Sequence, residues 1–237
     1  MNAEAAPLRG LGRATASDLD PGASLARFLE LGARELVAFV GAGGKTTLML
    51  ALGRNLAAVG RRVLFTTTTR VGARQVSGVR GFWFERRQGG KLVGPPPEAV
   101  DRAWATGAHD VVLVEADGAR GMLAKAPAPY EPVIPALATV VVAVIAADAL
   151  ARPIDEVAHR PDLVAAVVGC SACDALTEER AARLVTAEAG LHKGVRPRAR
   201  FVAAITRVDP EQRSTAAALA SRLKDAGVPA ALFPRTL

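Results

Sequence analysis

Lys45 is followed by Thr46 and Thr47 and preceded by Gly41-Ala42-Gly43-Gly44. An ammonium group beside a hydroxyl, at the mouth of a glycine-rich turn, is equipped to hold a chain of phosphates. Small residues let backbone N–H groups approach phosphate oxygens, the lysine neutralises the terminal phosphates, and a threonine hydroxyl can ligate magnesium. Gly41, Ala42, Gly43, Gly44, Lys45, Thr46 and Thr47 are therefore candidate nucleotide-binding residues, with Thr46 also a candidate metal ligand. The plain alternative is a turn that merely joins two elements. A turn has no need of a cation at a helix start, where it opposes the helix dipole unless an anion is bound.

A second group of chemistry-bearing residues is Glu115-Ala116-Asp117-Gly118-Ala119-Arg120-Gly121. An acid closing an apolar strand, downstream of a phosphate loop, can hold magnesium through water or orient an attacking water. Glu115 is thus a candidate metal ligand and, with Lys45, a candidate catalytic residue. Asp117 and Arg120 are candidate catalytic residues that sense the terminal phosphate or neutralise charge in the transition state. The alternative is a strand that ends at the surface in ordinary acids. A third signal, Thr206-Arg207-Val208-Asp209, is like the [NT]-K-x-D of many GTPases, whose carboxylate accepts hydrogen bonds from guanine. Asp209 is accordingly a candidate base-binding residue, although arginine replaces the lysine and a strand-end aspartate is also a common helix cap. The implied ligands are ATP or GTP, with magnesium.

These residues need a scaffold, and the apolar patterning supplies one. Residues 36–40 are five apolar residues in a row, as in a strand buried on both faces. The glycine turn follows, then a helix over 48–58 closed by Gly60. Upstream, Ser17-Asp18 or Ser24 can cap a short helix over 25–31. Residues 62–65 read as a second strand ending in Thr66, Thr67, Thr68 and Thr69. Hydroxyls at a strand's carboxyl end lie where ligands bind in an open α/β sheet, but threonine is also simply a good strand residue. Residues 82–84 and 91–93 read as the arms of a β-hairpin, an excursion from the main sheet. A helix over 98–105 and strands over 110–114, 140–146, 201–205 and 230–233 complete the pattern, with helices over 178–189 and 209–224. Four prolines between 127 and 135 forbid helix or central strand there, so that stretch reads as an ordered loop or lid. The expected fold is α/β of P-loop type: a mostly parallel sheet with helices on both faces and a β-hairpin excursion. Residues 17–237 would form one nucleotide-binding domain, preceded by a loose N-terminal tail over 1–16.

Composition narrows the function classes. The chain has 237 residues, half of them apolar and only 4% aromatic, so the core must be built from Ala, Val and Leu. The formal net charge of +7 invites a nucleic-acid reading, but only five of the 30 basic residues are lysine. The arginines are scattered and not interleaved with aromatics, so nucleic-acid binding is not expected. A solvated, arginine-rich surface accounts for the charge best, and an acidic substrate or partner is also compatible with it. Two cysteines, no charged-then-apolar leader and no apolar run of membrane-spanning length point to a cytoplasmic protein without a membrane segment. Cys170 and Cys173 are half of a zinc site with no visible second half and read as buried small residues. His159 is either a proton shuttle or ligand, or a structural histidine.

Spacing and combination allow more. The loop reads G-x-x-G-K-T-T, two residues tighter than the common G-x-x-x-x-G-K-[ST], and this short form resembles the loop of Mur-type amide ligases. Val40 to Thr47, Thr66 to Thr69 and Val114-Glu115-Ala116-Asp117-Gly118 occur together with Lys125-Ala126-Pro127, Glu131-Pro132-Val133-Ile134-Pro135 and His159-Arg160-Pro161. The set resembles the YqeC family, accessory proteins of selenium-dependent molybdenum hydroxylases, over roughly residues 20–235. That resemblance implies a part in making or inserting a labile selenium-containing cofactor. It also implies a molybdenum hydroxylase or its cofactor-assembly proteins as partners. Three functions are compatible with the residues: an NTP hydrolase coupled to cofactor maturation, an ATP-dependent Mur-like ligase, and a nucleotide-gated chaperone without significant turnover.

Overall fold

The computed structural model describes residues 20–235; the tail expected over 1–16 and the alternative cap at Ser17 and Asp18 lie outside the described residues. Helix α1 (Pro21–Leu29) is capped by Asp20, whose carboxylate accepts the Gly22 N–H at 2.9 Å, so Ser24 is interior to the helix. Strand β1 (Glu35–Gly41) is buried at every position and runs into the glycine loop and helix α2 (Lys45–Ala58). The chain continues through β2 (Val63–Thr67), β3 (Arg70–Gly72), β4 (Phe82–Trp83), β5 (Arg86–Gln88) and β6 (Lys91–Val93). Helix α3 (Pro97–Ala105), β7 (Val111–Glu115), β8 (Ala124–Lys125) and β9 (Val140–Ala146) follow. Then come α4 (Ile154–Val157), β10 (Ala158–His159), α5 (Pro161–Val168), α6 (Glu178–Thr186), β11 (Arg200–Thr206), α7 (Arg213–Asp225) and β12 (Ala230–Leu232).

Seven strands form one sheet in the order β12-β11-β9-β1-β7-β2-β4, and every pairing in it is parallel. Alternation along β1 splits the core in two. Leu36, Ala38 and Val40 pack under α5, α6 and α7, while Val37 and Phe39 pack under α1 and α2. Helices on both faces are the expected architecture, because an all-parallel sheet has to be covered on both sides. Burying each Leu, Val or Phe in these layers stabilises the fold by about 1.5–3 kcal/mol. The central strand is therefore held firmly, and so is the loop at its carboxyl end. The chain fills the sheet on one side of β1 with β2, β4 and β7, then on the other with β9, β11 and β12. The change of direction falls beside β1, and ligands of open α/β sheets bind at the strand ends there.

The hairpin differs in detail from expectation. Phe82 and Trp83 join the main sheet as its edge strand, parallel to β2, because Phe82 is buried against the α1–α2 layer. The arms of the excursion are β5 and β6, joined at Gly89-Gly90, and β3 pairs antiparallel with β6 to make a three-stranded sheet. The proline stretch is a loop, as its prolines require, yet Ala126 and Ala128 are buried. The last helices are shorter than the patterning suggested, α6 ending at Thr186 and α7 starting at Arg213 after a 3₁₀ turn over Pro210–Gln212. The cysteines are not core residues: Cys173 is exposed and Cys170 half-buried. Among the described residues no cluster of three or more His, Cys, Asp or Glu side chains could hold a metal ion.

Candidate functional site

The glycine loop is pinned to its surroundings by its first three amides. Gly41 N–H donates to Asp117 Oδ2 at 2.9 Å, Ala42 N–H to the Val144 carbonyl at 2.9 Å, and Gly43 N–H to the Met122 carbonyl at 3.1 Å. Gly43 has a backbone φ of +88°, and a Cβ there would meet the Ala146 Cβ at 2.5 Å, so the position requires glycine. The next amides are different. The first intrahelical bond of α2 runs from Leu48 N–H to the Gly44 carbonyl, the helix has no side-chain cap, and no acid stands in its first turn. The N–H groups of Gly44, Lys45, Thr46 and Thr47 therefore have no acceptor among the described residues, and the positive end of the helix dipole lies with them. By contrast, α6 is capped by Thr177 and carries Glu178 and Glu179 in its first turn.

The side chains at this helix start are unusual in being charged and buried. Lys45 is 4% exposed; its Nζ donates to the Gly41 carbonyl at 2.6 Å and lies 3.1 Å from Asp117 Oδ1. Burial works against the cation, but Asp117 and Glu115 outweigh it and hold its pKa above the usual ammonium value. Thr46 donates its hydroxyl to Glu115 Oε2 at 2.5 Å. Burial raises the Glu115 pKa above the ordinary carboxylate value, with Lys45 and the Thr46 hydroxyl only partly offsetting it. A hydroxyl and a carboxylate side by side, next to uncapped amides, are the oxygen donors that magnesium prefers. Thr46 and Glu115 are therefore the residues here that could hold such a cation.

Behind the loop runs a chain of alternating charges that sequence reading did not find. Asp117 is fully buried between Lys45 and Lys125, the latter at 3.3 Å. Lys125, also fully buried, donates to Glu131 Oε2 at 2.8 Å and to the Gly118 carbonyl at 2.8 Å. Arg160 donates to the same Glu131 oxygen at 2.6 Å and to the Tyr130 hydroxyl at 3.3 Å. Glu131 is desolvated, yet its bonds from Lys125 and Arg160 bring its pKa down to about 2. The signal in the sequence was a single lysine and a single glutamate embedded among alanines and prolines, where a lone charge has no ordinary reason to be. Asp117 therefore lies under the loop and does not line the cleft.

The cleft itself has a volume of about 810 Å³ and opens at the carboxyl ends of the strands. It brings together Gly43 to Thr47, Thr68, Thr69, Glu115, Arg120, Glu131, His159 and Arg160. Of the threonine run, Thr66 and Thr67 are buried and bonded to the Trp83 and Glu115 carbonyls, so only the later two reach it. A second opening of about 120 Å³ adjoins the loop, lined by Thr47, Thr206, Arg207, Phe233 and Arg235. Asp209 lines neither. It forms a reciprocal cap with Gln212 and accepts from Arg235 Nε at 2.8 Å, while Arg207 and Arg235 both bond Asp148. No helix among the described residues is long and apolar enough to cross a membrane.

A chain of the MinC:MinD cell division protein complex of Aquifex aeolicus superposes with a TM-score of 0.49 at 16% identity, over 85% of this chain and 82% of that one. Residues 37–162, from β1 to the start of α5, match the family model described as YqeC protein. The uncharacterized protein YqeC of Escherichia coli (strain K12) is 35% identical over 177 residues, which are 65% of this chain and 68% of that protein. On that match of family model and relative, the chain belongs to the YqeC family.

Proposed function

We propose that the protein binds ATP or GTP with magnesium, hydrolyses it, and couples this to maturation or insertion of the selenium-containing cofactor of molybdenum hydroxylases. The observation that carries the nucleotide part is the start of α2. Its unused amides, a buried lysine and a threonine–glutamate oxygen pair all converge at the end of the central strand. Phosphoryl transfer asks mainly for positioning and charge neutralisation, and these groups offer both. In this reading Lys45 exchanges Asp117 for phosphate oxygens, while Asp117 stays neutralised by Lys125. Glu115 and Thr46 hold the metal, and Arg120, exposed across the cleft, meets charge on the terminal phosphate. In the same reading, base and ribose would lie toward the smaller opening beside Thr47. Reading of guanine by Asp209 would require Arg235 to release it.

The cofactor-maturation part rests on family membership and on the motifs that carry it, and the partners it implies are a molybdenum hydroxylase or its assembly proteins. The test is turnover of Mg·ATP and Mg·GTP by the wild-type chain, with and without such a hydroxylase. Turnover that Lys45→Ala abolishes supports the hydrolase. Tight binding with negligible turnover would instead favour the nucleotide-gated chaperone, and absence of binding to either nucleotide would remove both.

A further inference from the structure

The 810 Å³ cleft is much larger than a phosphate loop needs, and its remaining walls are strongly cationic. Beside the loop, the cleft is lined by Arg70 of β3 and Lys91 of β6, from the small antiparallel sheet. Arg120 enters from the turn after β7, and Arg160 from the start of α5. Arg70, Lys91 and Arg120 are exposed and have no ion-pair or hydrogen-bond partner for their side chains among the described residues. Among the described residues, the only carboxylates lining the cleft are Glu115 and Glu131. Both are already engaged, Glu115 by Thr46 and Glu131 by Lys125 and Arg160. Among the described residues lining the cleft, no free carboxylate offsets this wall.

Two details indicate that this wall is built and not incidental. Arg120 and Arg160 both have backbone φ in the left-handed region, +51° and +64°, which arginine seldom adopts. Such conformations persist only where surrounding structure over-determines them, and they cluster at ligand sites. Arg160 is moreover held by the buried Lys125–Glu131 pair, so its guanidinium is fixed in orientation before any ligand arrives. His159, half-buried between these cations, has a pKa below the usual imidazole value, first from burial and then from Arg160, Lys125 and Arg120. In this setting its neutral form is favoured more than in a free imidazole.

We propose that this far compartment binds a second, small substrate through a phosphate or comparable multiply charged oxyanion, facing the terminal phosphate of the nucleotide. The proposal rests on the nucleotide reading above for that orientation. Arg120 and Arg160 would clamp the oxyanion from the strand ends, with Arg70 and Lys91 covering it from the antiparallel sheet. Planar guanidinium forks suit such oxyanions, and two of them from different elements fix orientation as well as charge.

The test uses the full chain, inorganic phosphate as the probe and a non-hydrolysable ATP analogue with magnesium to fill the loop. Binding of phosphate is followed by ³¹P line broadening, and binding of the analogue by calorimetry on the same samples. The expected result is saturable phosphate binding to the analogue-loaded protein at one site per chain. It should weaken at least about tenfold in the Arg70→Ala/Lys91→Ala double variant, a loss in the range of charged hydrogen bonds. Calorimetry of that variant reports separately whether its fold and loop are intact, and Arg160→Ala, at a residue the nucleotide reading does not use, provides a second variant. Analogue binding without saturable phosphate binding, or phosphate affinity indifferent to both variants, overturns the proposal and leaves the nucleotide reading standing. If the analogue itself does not bind, the nucleotide reading falls. Phosphate titration of the unliganded protein then decides: dependence on Arg70 and Lys91 supports the compartment, and dependence on Lys45 alone overturns it.

Discussion

Lys45→Ala separates the structural role of the lysine from its role with the nucleotide. The substitution removes an ammonium group 4% exposed, with its 2.6 Å bond to the Gly41 carbonyl and its 3.1 Å pairing with Asp117. Breaking a buried ion pair from one side costs about 3–5 kcal/mol when the surviving charge is left alone. Asp117 is not left alone, because Lys125 stays at 3.3 Å and the Gly41 N–H at 2.9 Å. The expected loss of stability is therefore about 2–3 kcal/mol, read as a shift in the urea midpoint at constant slope. Adding Asp117→Asn removes the surplus buried charge and should recover at least half of that loss, since the amide oxygen can still accept from Gly41. Nucleotide affinity should behave otherwise. A charged hydrogen bond to phosphate is worth about 1.5–3 kcal/mol, or about 10- to 150-fold in affinity. The wild type must surrender the Asp117 pairing to make it, so the measured loss should lie near the middle of that range. Calorimetric titration of Mg·ATP and Mg·GTP into the three proteins gives the answer. The reasoning is refuted if Lys45→Ala binds within about threefold of wild type, or if the double variant regains nucleotide affinity along with stability.

Other perturbations bear on separate parts of the site. Glu115→Gln leaves the Thr46 hydroxyl without its carboxylate partner, so magnesium-dependent turnover should fall at least a hundredfold while metal-free nucleotide affinity changes little. Retention of normal magnesium dependence in that variant would take Glu115 out of the metal site. Gly43→Ala puts a Cβ against Ala146 at 2.5 Å in a positive-φ position; nucleotide binding should be lost, and hydrogen exchange of the amides over 41–47 should quicken. Glu131, with a folded pKa of about 2 against an ordinary 4.5, contributes stability above about pH 4.5 that disappears as pH falls toward 2. The stability gap between wild type and Glu131→Gln should therefore shrink on acidification, by up to about 1.4 kcal/mol per pH unit. A gap independent of pH would mean that the Lys125–Glu131–Arg160 network does not hold that carboxylate ionised.

The fold was legible where one principle dominates. Residues 36–40, 111–114 and 140–146 are uninterrupted apolar runs, and such runs between helical segments have few homes other than a parallel sheet covered on both faces. The glycine loop was legible because small residues followed by lysine and threonine mark a turn from an apolar strand into a helix. Legibility failed where long-range packing decides. Phe82 and Trp83 resemble a hairpin arm locally, and only the apolar layer under β2 and β4 draws them into the main sheet. Asp117 read as a residue facing phosphate, yet its position is set by two lysines 72 and 8 residues away in sequence, a pairing that no local pattern encodes. Asp209 shows the same limit, since its partner Arg235 comes from beyond the last strand. The resemblance to the YqeC family gathered Lys125, Glu131 and Arg160 into one set of motifs, but their buried chain of contacts became visible only in three dimensions.

The most direct measurement is a crystal structure with magnesium and a non-hydrolysable ATP or GTP analogue. The account predicts phosphate oxygens on the N–H groups of Gly44 to Thr47, Lys45 Nζ moved from Asp117 onto the phosphates, and the metal between Thr46 and Glu115. A nucleotide bound elsewhere, or a filled cleft with Lys45 still on the Gly41 carbonyl and Asp117, would contradict it.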